Sequence, residues 1–167
     1  MVDVRRAGAE DVSELVRLRA ILMESIPGQQ KQQSRQEADG WRETCARMLR
    51  AELAHPEPTM VACVVDAPGG TGSLAACGIG VIDRRLPSPA RPDGRCGYIL
   101  SMVTDPGHRK QGYARAILTA LQEWFHSQRV LRVDLHATSD GESLYRDAGF
   151  TEHVDPALSW TDQSPRH

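Results

Sequence analysis

The stretch Ile99–Leu118, ILSMVTDPGHRKQGYARAIL, decides how the chain is read. The run from Ile99 to Val103 is mostly apolar and reads as a buried strand. Asp105-Pro106-Gly107 ends it, because the residue before a proline is pushed out of helical geometry and proline donates no ladder hydrogen bond. His108, Arg109, Lys110 and Gly112 follow, and after them comes a strongly periodic helix. A strand, a basic glycine-containing turn and a helix N-terminus suit a phosphate. The orphan N–H groups point outward, the helix dipole favours an anion, and glycine lets a ligand approach the backbone.

The rest of the chain has ordinary globular proportions. Its 167 residues suit one domain with a real core, expected over 1–160 with a polar tail at 161–167. Apolar residues make up 40% and charged residues 25%, and the net charge of −2 gives no overall field that would draw nucleic acid or an anionic membrane. Cys45, Cys63, Cys77 and Cys96 are widely spread, with no C-x-x-C pair and no zinc-ligand spacing to the histidines, so no metal is expected. Buried free thiols in a reducing compartment are the simpler reading. No apolar leader follows Met1, and no run approaches the ~20 apolar residues of a membrane span. A cytoplasmic protein is expected.

Outward from the central stretch the periodicities give an order of elements. Val2–Arg6 reads as a short strand, and Ala9–Ile26 as a helix whose stripe of Val12, Leu15, Val16, Leu22, Met23 and Ile26 has Arg19 as its polar intruder. Gln29–Arg35 is polar and reads as a loop. Trp41, Cys45, Met48, Leu49 and Leu53 define a second helix. Thr59–Asp66 and Ser73–Asp83 form a hairpin across Ala67-Pro68-Gly69-Gly70, and Cys96–Thr104 is the central strand. The third helix runs from about Gly112 to Gln128, with Ala114, Ile117, Leu118, Leu121, Trp124 and Phe125 on one face. Val130–Thr138 is a strand parallel to the central one, since a helix intervenes. Ser139 and Glu142 read as a capping box, Gly149 as the residue that ends the short helix, and Phe150–Trp160 as one or two closing strands. The expected fold is a mixed α/β sheet, β-α-α-β-β-β-α-β-α-β(-β), with helices on both faces.

Two common phosphate turns are excluded. Gly107 and Gly112 have the spacing of G-x-x-x-x-G-K-[ST], but Tyr113 and Ala114 stand where the lysine and the hydroxyl should be. Gly78 and Gly80 lie inside a strand, with no third glycine or following helix to make a dinucleotide turn. The turn Arg109-Lys110-Gln111-Gly112-Tyr113-Ala114 instead matches R/Q-x-x-G-x-G/A. Downstream, Leu144-Tyr145-Arg146-Asp147-Ala148-Gly149-Phe150 matches L-Y-x-x-x-G-F on a short helix after the next parallel strand. The two motifs, in this order and on these elements, resemble the pyrophosphate loop and the tyrosine segment of the GCN5-related N-acetyltransferases.

That resemblance implies acetyl-CoA as co-substrate, held where two parallel strands splay apart. The backbone of Met102, Val103 and Thr104 would pair with the pantetheine arm, and a main-chain N–H near Val103 would polarise the thioester carbonyl. Arg109 and the N–H groups of Lys110, Gln111, Gly112, Tyr113 and Ala114 would hold the pyrophosphate. Tyr145 would be the general acid toward the departing thiolate. A phenol with a pKa near 10 gives its proton to a thiolate with a pKa near 8.5 only uphill, by roughly 2 kcal/mol, so a hydrogen bond to the developing charge is the useful part. Thr138 stands six residues before Leu144, where the family often has a pantetheine-binding asparagine; a hydroxyl replaces only part of that contact. Glu24, Asp105 and His136 acting through water remain open as the base. The acceptor pocket would be built by Ser25–Arg35 and the segment after Phe150. The implied activity is acetyl transfer to a primary amine, on a small molecule or peptide, by direct attack on the thioester; the alternative is a non-catalytic acyl-CoA-binding regulatory domain. A homodimer is expected by analogy with the family.

Overall fold

The computed structural model describes residues 1–26 and 35–162, with side chains left undescribed over 35–39. The chain divides into two compact units, residues 1–136 and 137–167. In the first, strand β1 (Arg5–Arg6) leads through a 3-10 turn into helix α1 (Val12–Ser25); then come α2 (Arg35–Leu53), β2 (Met60–Asp66), β3 (Leu74–Arg84), β4 (Arg95–Thr104), α3 (Tyr113–Ser127) and β5 (Val133–Leu135). The second carries α4 (Glu142–Asp147). The sheet order is β1-β2-β3-β4-β5, antiparallel except for the β4–β5 pair, which is parallel. The expected order of elements holds as far as α4.

Strand alternation sorts the core onto two faces of this sheet. Ala62, Val64, Cys77, Ile79 and Val103 pack with Val12, Leu15, Val16 and Leu18 of α1 and Leu49 of α2. The intervening residues of β3 are Gly78 and Gly80, and they face α3. A Cβ at Gly78 would sit 2.6 Å from an Ile117 methyl, and one at Gly80 3.0 Å from the Phe125 ring. Gly97 in β4 is crowded in the same way, 2.7 Å from Phe125. The glycines therefore let α3 lie close to the sheet, with Ile117, Leu118, Leu121, Trp124 and Phe125 all buried. Each such side chain contributes about 1.5–3 kcal/mol when fully withdrawn from water.

Four expectations are corrected. Helix α2 starts at Arg35, ahead of the Trp41 where its apolar stripe begins, and Met48 of that stripe is 58% exposed. Strand β5 is confined to Val133–Leu135, inside the expected Val130–Thr138. Ser139 does not cap α4: Gly141 occupies the N-cap after its N–H bonds back to the Thr138 carbonyl, and the Glu142 carboxylate turns forward to Arg146 at 2.7 Å. No strand forms between Phe150 and Asp162 among the described residues. Pro156 cannot donate to a ladder and holds Asp155 out of helical geometry, and Val154, Leu158 and Trp160 stand isolated and solvent-exposed. The Gly149 expectation holds. At φ +93° it ends α4, donating to Arg146 O while Phe150 N–H donates to Tyr145 O, the paired bonds of a left-handed helix stop.

The four cysteines are free, and burial pushes the Cys63 thiol up to about 11, which leaves it protonated and inert. No described helix is long and apolar enough to cross a membrane.

Two glycines give opposite expectations. Gly78→Ala drives a methyl against Ile117 and lowers the free energy of unfolding by about 1–3 kcal/mol. Gly40→Ala, in α2 with open space around the new methyl, raises it by about 0.5–1 kcal/mol. Equilibrium urea denaturation of both variants checks the signs.

Candidate functional site

Strand β4 is interrupted just where the second half of its sequence begins. Cys77 pairs with Val103 and Ile79 with Leu100, so Ser101 and Met102 together oppose Gly78. This is a β-bulge, and Ser101 takes a left-handed φ of +53° to form it. A bulge bends its strand and increases the local twist. On its other edge β4 pairs with β5 only from Gly97–Val133 to Ile99–Leu135. Beyond Ile99 no described strand accompanies that edge, so Met102, Val103 and Thr104 have β3 on one side and an open ladder on the other. Ser101 is buried, its hydroxyl accepts a hydrogen bond from Arg19 Nη1, and its carbonyl accepts one from the Cys77 thiol.

The turn after β4 is fastened from below. The Asp105 carboxylate accepts the Gly107 N–H at 3.0 Å and the Arg17 guanidinium at 2.6 Å. Arg17 also donates to Glu14, at 2.8–2.9 Å, and to the Leu74 carbonyl at 2.9 Å, while Leu74 N–H donates to Glu14. One arginine thus ties α1, the start of β3 and the Asp-Pro turn together. The pairing with Arg17, with the Gly107 N–H second, holds the Asp105 carboxyl below its usual range. The Asp105 carboxylate is thus committed to the turn and to Arg17.

Past the turn the backbone is arranged for an anion. Lys110 has φ +60° and Gly112 φ +80°, both left-handed, and Gly112 is the N-cap of α3. Its missing Cβ would point into open space, so glycine here serves backbone geometry and close approach rather than packing. Among the described residues, no backbone carbonyl accepts from the N–H groups of Lys110, Gln111, Gly112, Tyr113 and Ala114, and no side chain caps the helix. Arg109, Lys110, Gln111 and Gly112 are exposed, and neither basic side chain has an ion-pair partner among the described residues. The Tyr113 hydroxyl donates to Gln111 Oε1 at 2.8 Å, which steadies the turn. A row of such donors at the positive end of a long helix, flanked by two exposed basic side chains, can hold a phosphate.

In the second unit, Thr138 is exposed and its carbonyl closes the turn to Gly141. Tyr145 is 9% exposed and meets Phe150 edge-on, with ring centroids 6.0 Å apart. Burial pushes its hydroxyl above the ordinary phenol range, so it stays a proton donor throughout neutral pH. The segment after Phe150 is exposed, and most of the expected Ser25–Arg35 wall lies outside the described residues.

Sequence reading missed three features on the α1 face of β4. These are the bulge at Ser101, the bond from Arg19 to it, and the contact between the Tyr98 hydroxyl and His136 Nδ1, which joins β4 to the chain just after β5. Only Arg19 carried a signal, as the charged residue within an apolar helical stripe.

Comparison with known proteins places these features in context. A sequence model described as the acetyltransferase (GNAT) family matches residues 16–150. No curated protein sequence matches the chain. Among solved structures, a predicted acetyltransferase from Clostridium acetobutylicum, crystallised with acetyl-CoA, is similar at TM-score 0.77 and 22% identity, over 96% of each chain. A GCN5-related N-acetyltransferase from Ralstonia eutropha JMP134 is similar at TM-score 0.77 and 20% identity, over 96% of this chain and 99% of that one. Glucosamine-6-phosphate N-acetyltransferase from Arabidopsis thaliana is similar at TM-score 0.70 and 17% identity, over 97% and 99%. At these identities the likeness is one of fold.

The Asp105 anchor gives a pH dependence with a defined sign. Its native pKa lies below the unfolded value near 3.9, so it stabilises the fold above that value and the contribution is lost as pH falls through the native one. Asp105→Asn removes the contribution at neutral pH. The difference in melting temperature between wild type and variant therefore shrinks on going from pH 7 to below about pH 4 in a thermal melt. An undiminished difference would count against the anchor.

Proposed function

The chain belongs to the GNAT acetyltransferase family, and we propose that it transfers an acetyl group from acetyl-CoA to a primary amine by direct attack on the thioester. The observation that carries the proposal is the row of unsatisfied N–H groups from Lys110 to Ala114, set directly after a strand whose outer edge is open. A pyrophosphate on that turn, held by Arg109, Lys110 and the donors through Gln111, Gly112, Tyr113 and Ala114, directs a pantetheine arm back along Thr104, Val103 and Met102. The arm completes the ladder that β5 leaves, in the manner of an added strand. Thr138 supplies a further hydroxyl for the arm.

In the reaction the amine nitrogen attacks the thioester carbonyl carbon. The developing oxyanion is met by a main-chain N–H near Val103, which is worth most in a site withdrawn from water. The new C–N bond forms, the C–S bond breaks, the extra proton on nitrogen passes to water, and the thiolate leaves. Tyr145 donates a hydrogen bond to it; since burial raises the phenol, stabilisation of the thiolate outweighs complete proton transfer. An amine with a pKa near 10.4 is charged at neutral pH and must first lose a proton, whereas an α-amine near 7.7–8.0 is already partly neutral. The reaction needs no metal. The protein acts in the cytoplasm, and as a homodimer by analogy with its family.

A turnover screen with acetyl-CoA over peptide N-termini, polyamines, aminoglycosides and amino acids tests the activity. Free CoA released in step with acetylated amine is the expected result; CoA binding with no transfer to any amine would favour the non-catalytic acyl-CoA-binding reading. Tyr145→Phe lowers kcat by about 100-fold while leaving CoA affinity within about twofold, as single-turnover kinetics and equilibrium binding would report. At Gly112, Ala introduces only backbone strain, whereas Glu adds a negative charge beside the pyrophosphate. Gly112→Glu therefore weakens CoA binding about tenfold beyond Gly112→Ala.

A further inference from the structure

Three half-buried arginines face the junction of α1 with the sheet, and two are saturated. Arg5 pairs with Asp11 and Asp66, and Arg17 with Glu14 and Asp105. Arg19 has no carboxylate in reach among the described residues, and its single hydrogen bond goes to the Ser101 hydroxyl. That bond, from a residue of α1 to the buried hydroxyl of Ser101, sets the guanidinium against the bulge of β4. A guanidinium carries five donors. A partly desolvated one with a single neutral partner is costly to keep unless it has an anion to receive.

The place of this cation bears on the acceptor. Ser101 immediately precedes Met102–Thr104, and its left-handed backbone together with its bond from Arg19 fixes the head of the guanidinium against the bulge. Arg19 is only partly buried, so the remaining donors stay open to a small molecule. The neighbouring Arg17 is already held by two carboxylates, Glu14 and Asp105, so Arg19 is the guanidinium here that has no carboxylate partner among the described residues. One guanidinium beside two fixed carboxylates suits a singly charged carboxylate, in the two-pronged geometry its fork favours, better than a phosphate dianion.

Resting on the acetyl-transfer reading above, we infer that Arg19 binds a carboxylate on the acceptor, so that the substrate is a primary amine bearing a carboxylate, of the amino-acid class. The carboxylate sits on the fork of Arg19, and the amine faces the thioester carried beside Val103. Ser101 positions Arg19 and touches no substrate.

Matched pairs of amino acids and their carboxamides, with O-phosphoethanolamine as a phosphorylated amine, test this in steady-state kinetics. The wild type is expected to favour the acid over its amide in kcat/KM by about 10- to 100-fold. Arg19→Gln should abolish that preference, raising KM for the acid at least about tenfold more than KM for the amide or for acetyl-CoA. Arg19→Lys keeps the charge without the fork and should retain part of the preference. Calorimetric binding of the amino acid to the CoA-loaded protein should weaken in parallel. Wild type equally active on acid and amide, or most active on the phosphorylated amine, would overturn the carboxylate assignment and leave acetyl transfer standing. So would an Arg19→Gln variant that loses acid and amide activity equally. Wild type inactive on every amine would overturn the acetyl-transfer reading, and this inference with it. Should Arg19→Gln fail to fold, the wild-type preference and the Arg19→Lys variant still decide.

Discussion

The interruption of β4 at Ser101–Met102 is the constraint on which the rest of the structure depends. A regular strand would run on in register with β5, and its backbone groups would be spent on the sheet. Two residues opposite Gly78 bend the strand, and the parallel pairing stops at Ile99–Leu135. The bulge is held from both sides. On the α3 face, Met102 and Ile117 close over Gly78, where a side chain would collide with both. On the α1 face, Arg19 holds the Ser101 hydroxyl and the Cys77 thiol holds its carbonyl. A left-handed serine persists only where its surroundings over-determine it, and here three elements do so.

The open edge would serve nothing if the following turn were loose. Asp105 ends β4, caps the turn through Gly107 and anchors it to Arg17, whose other donors reach Glu14 and the Leu74 carbonyl. The unsatisfied N–H groups of Lys110–Ala114 are therefore presented by a backbone that is fixed before any ligand arrives. Pre-arranged donors need little reordering on binding, and that is what lets main-chain groups compete with water for a phosphate. Helix α3 supplies the dipole, and it lies close to the sheet because β3 and β4 offer glycine beneath it. Packing and the proposed binding thus share the same elements.

Much of this was legible in the sequence, and the limits have physical causes. The Asp-Pro turn, Gly112 and the apolar face of α3 announce themselves, because special backbone conformations and helical periodicity leave local marks. Gly149 does so as well, with the paired bonds that close α4. The bulge left no such mark: Ser101 is an ordinary strand residue by type, and its φ of +53° is imposed by contacts with residues far away in the chain. Arg17 left no mark either, because its partner Asp105 lies 88 residues away in the chain. Ser139 and Glu142 had the right spacing for a capping box, yet the turn at Thr138–Gly141 and the pull of Arg146 on Glu142 won. The apolar residues after Phe150 suggested strands, but Pro156 denies them a ladder and leaves Trp160 in solvent.

The central claim is that the turn at the head of α3 recognises pyrophosphate while the open edge of β4 takes the arm. Calorimetric titration with acetyl-CoA and with S-acetylpantetheine, which keeps the arm and thioester but lacks the pyrophosphate, tests it most directly. Acetyl-CoA should bind, and the truncated thioester should bind at least about tenfold more weakly, because it leaves the charge-assisted donors of Arg109–Ala114 unused. Absence of acetyl-CoA binding, or equal affinity for the two thioesters, would contradict the account.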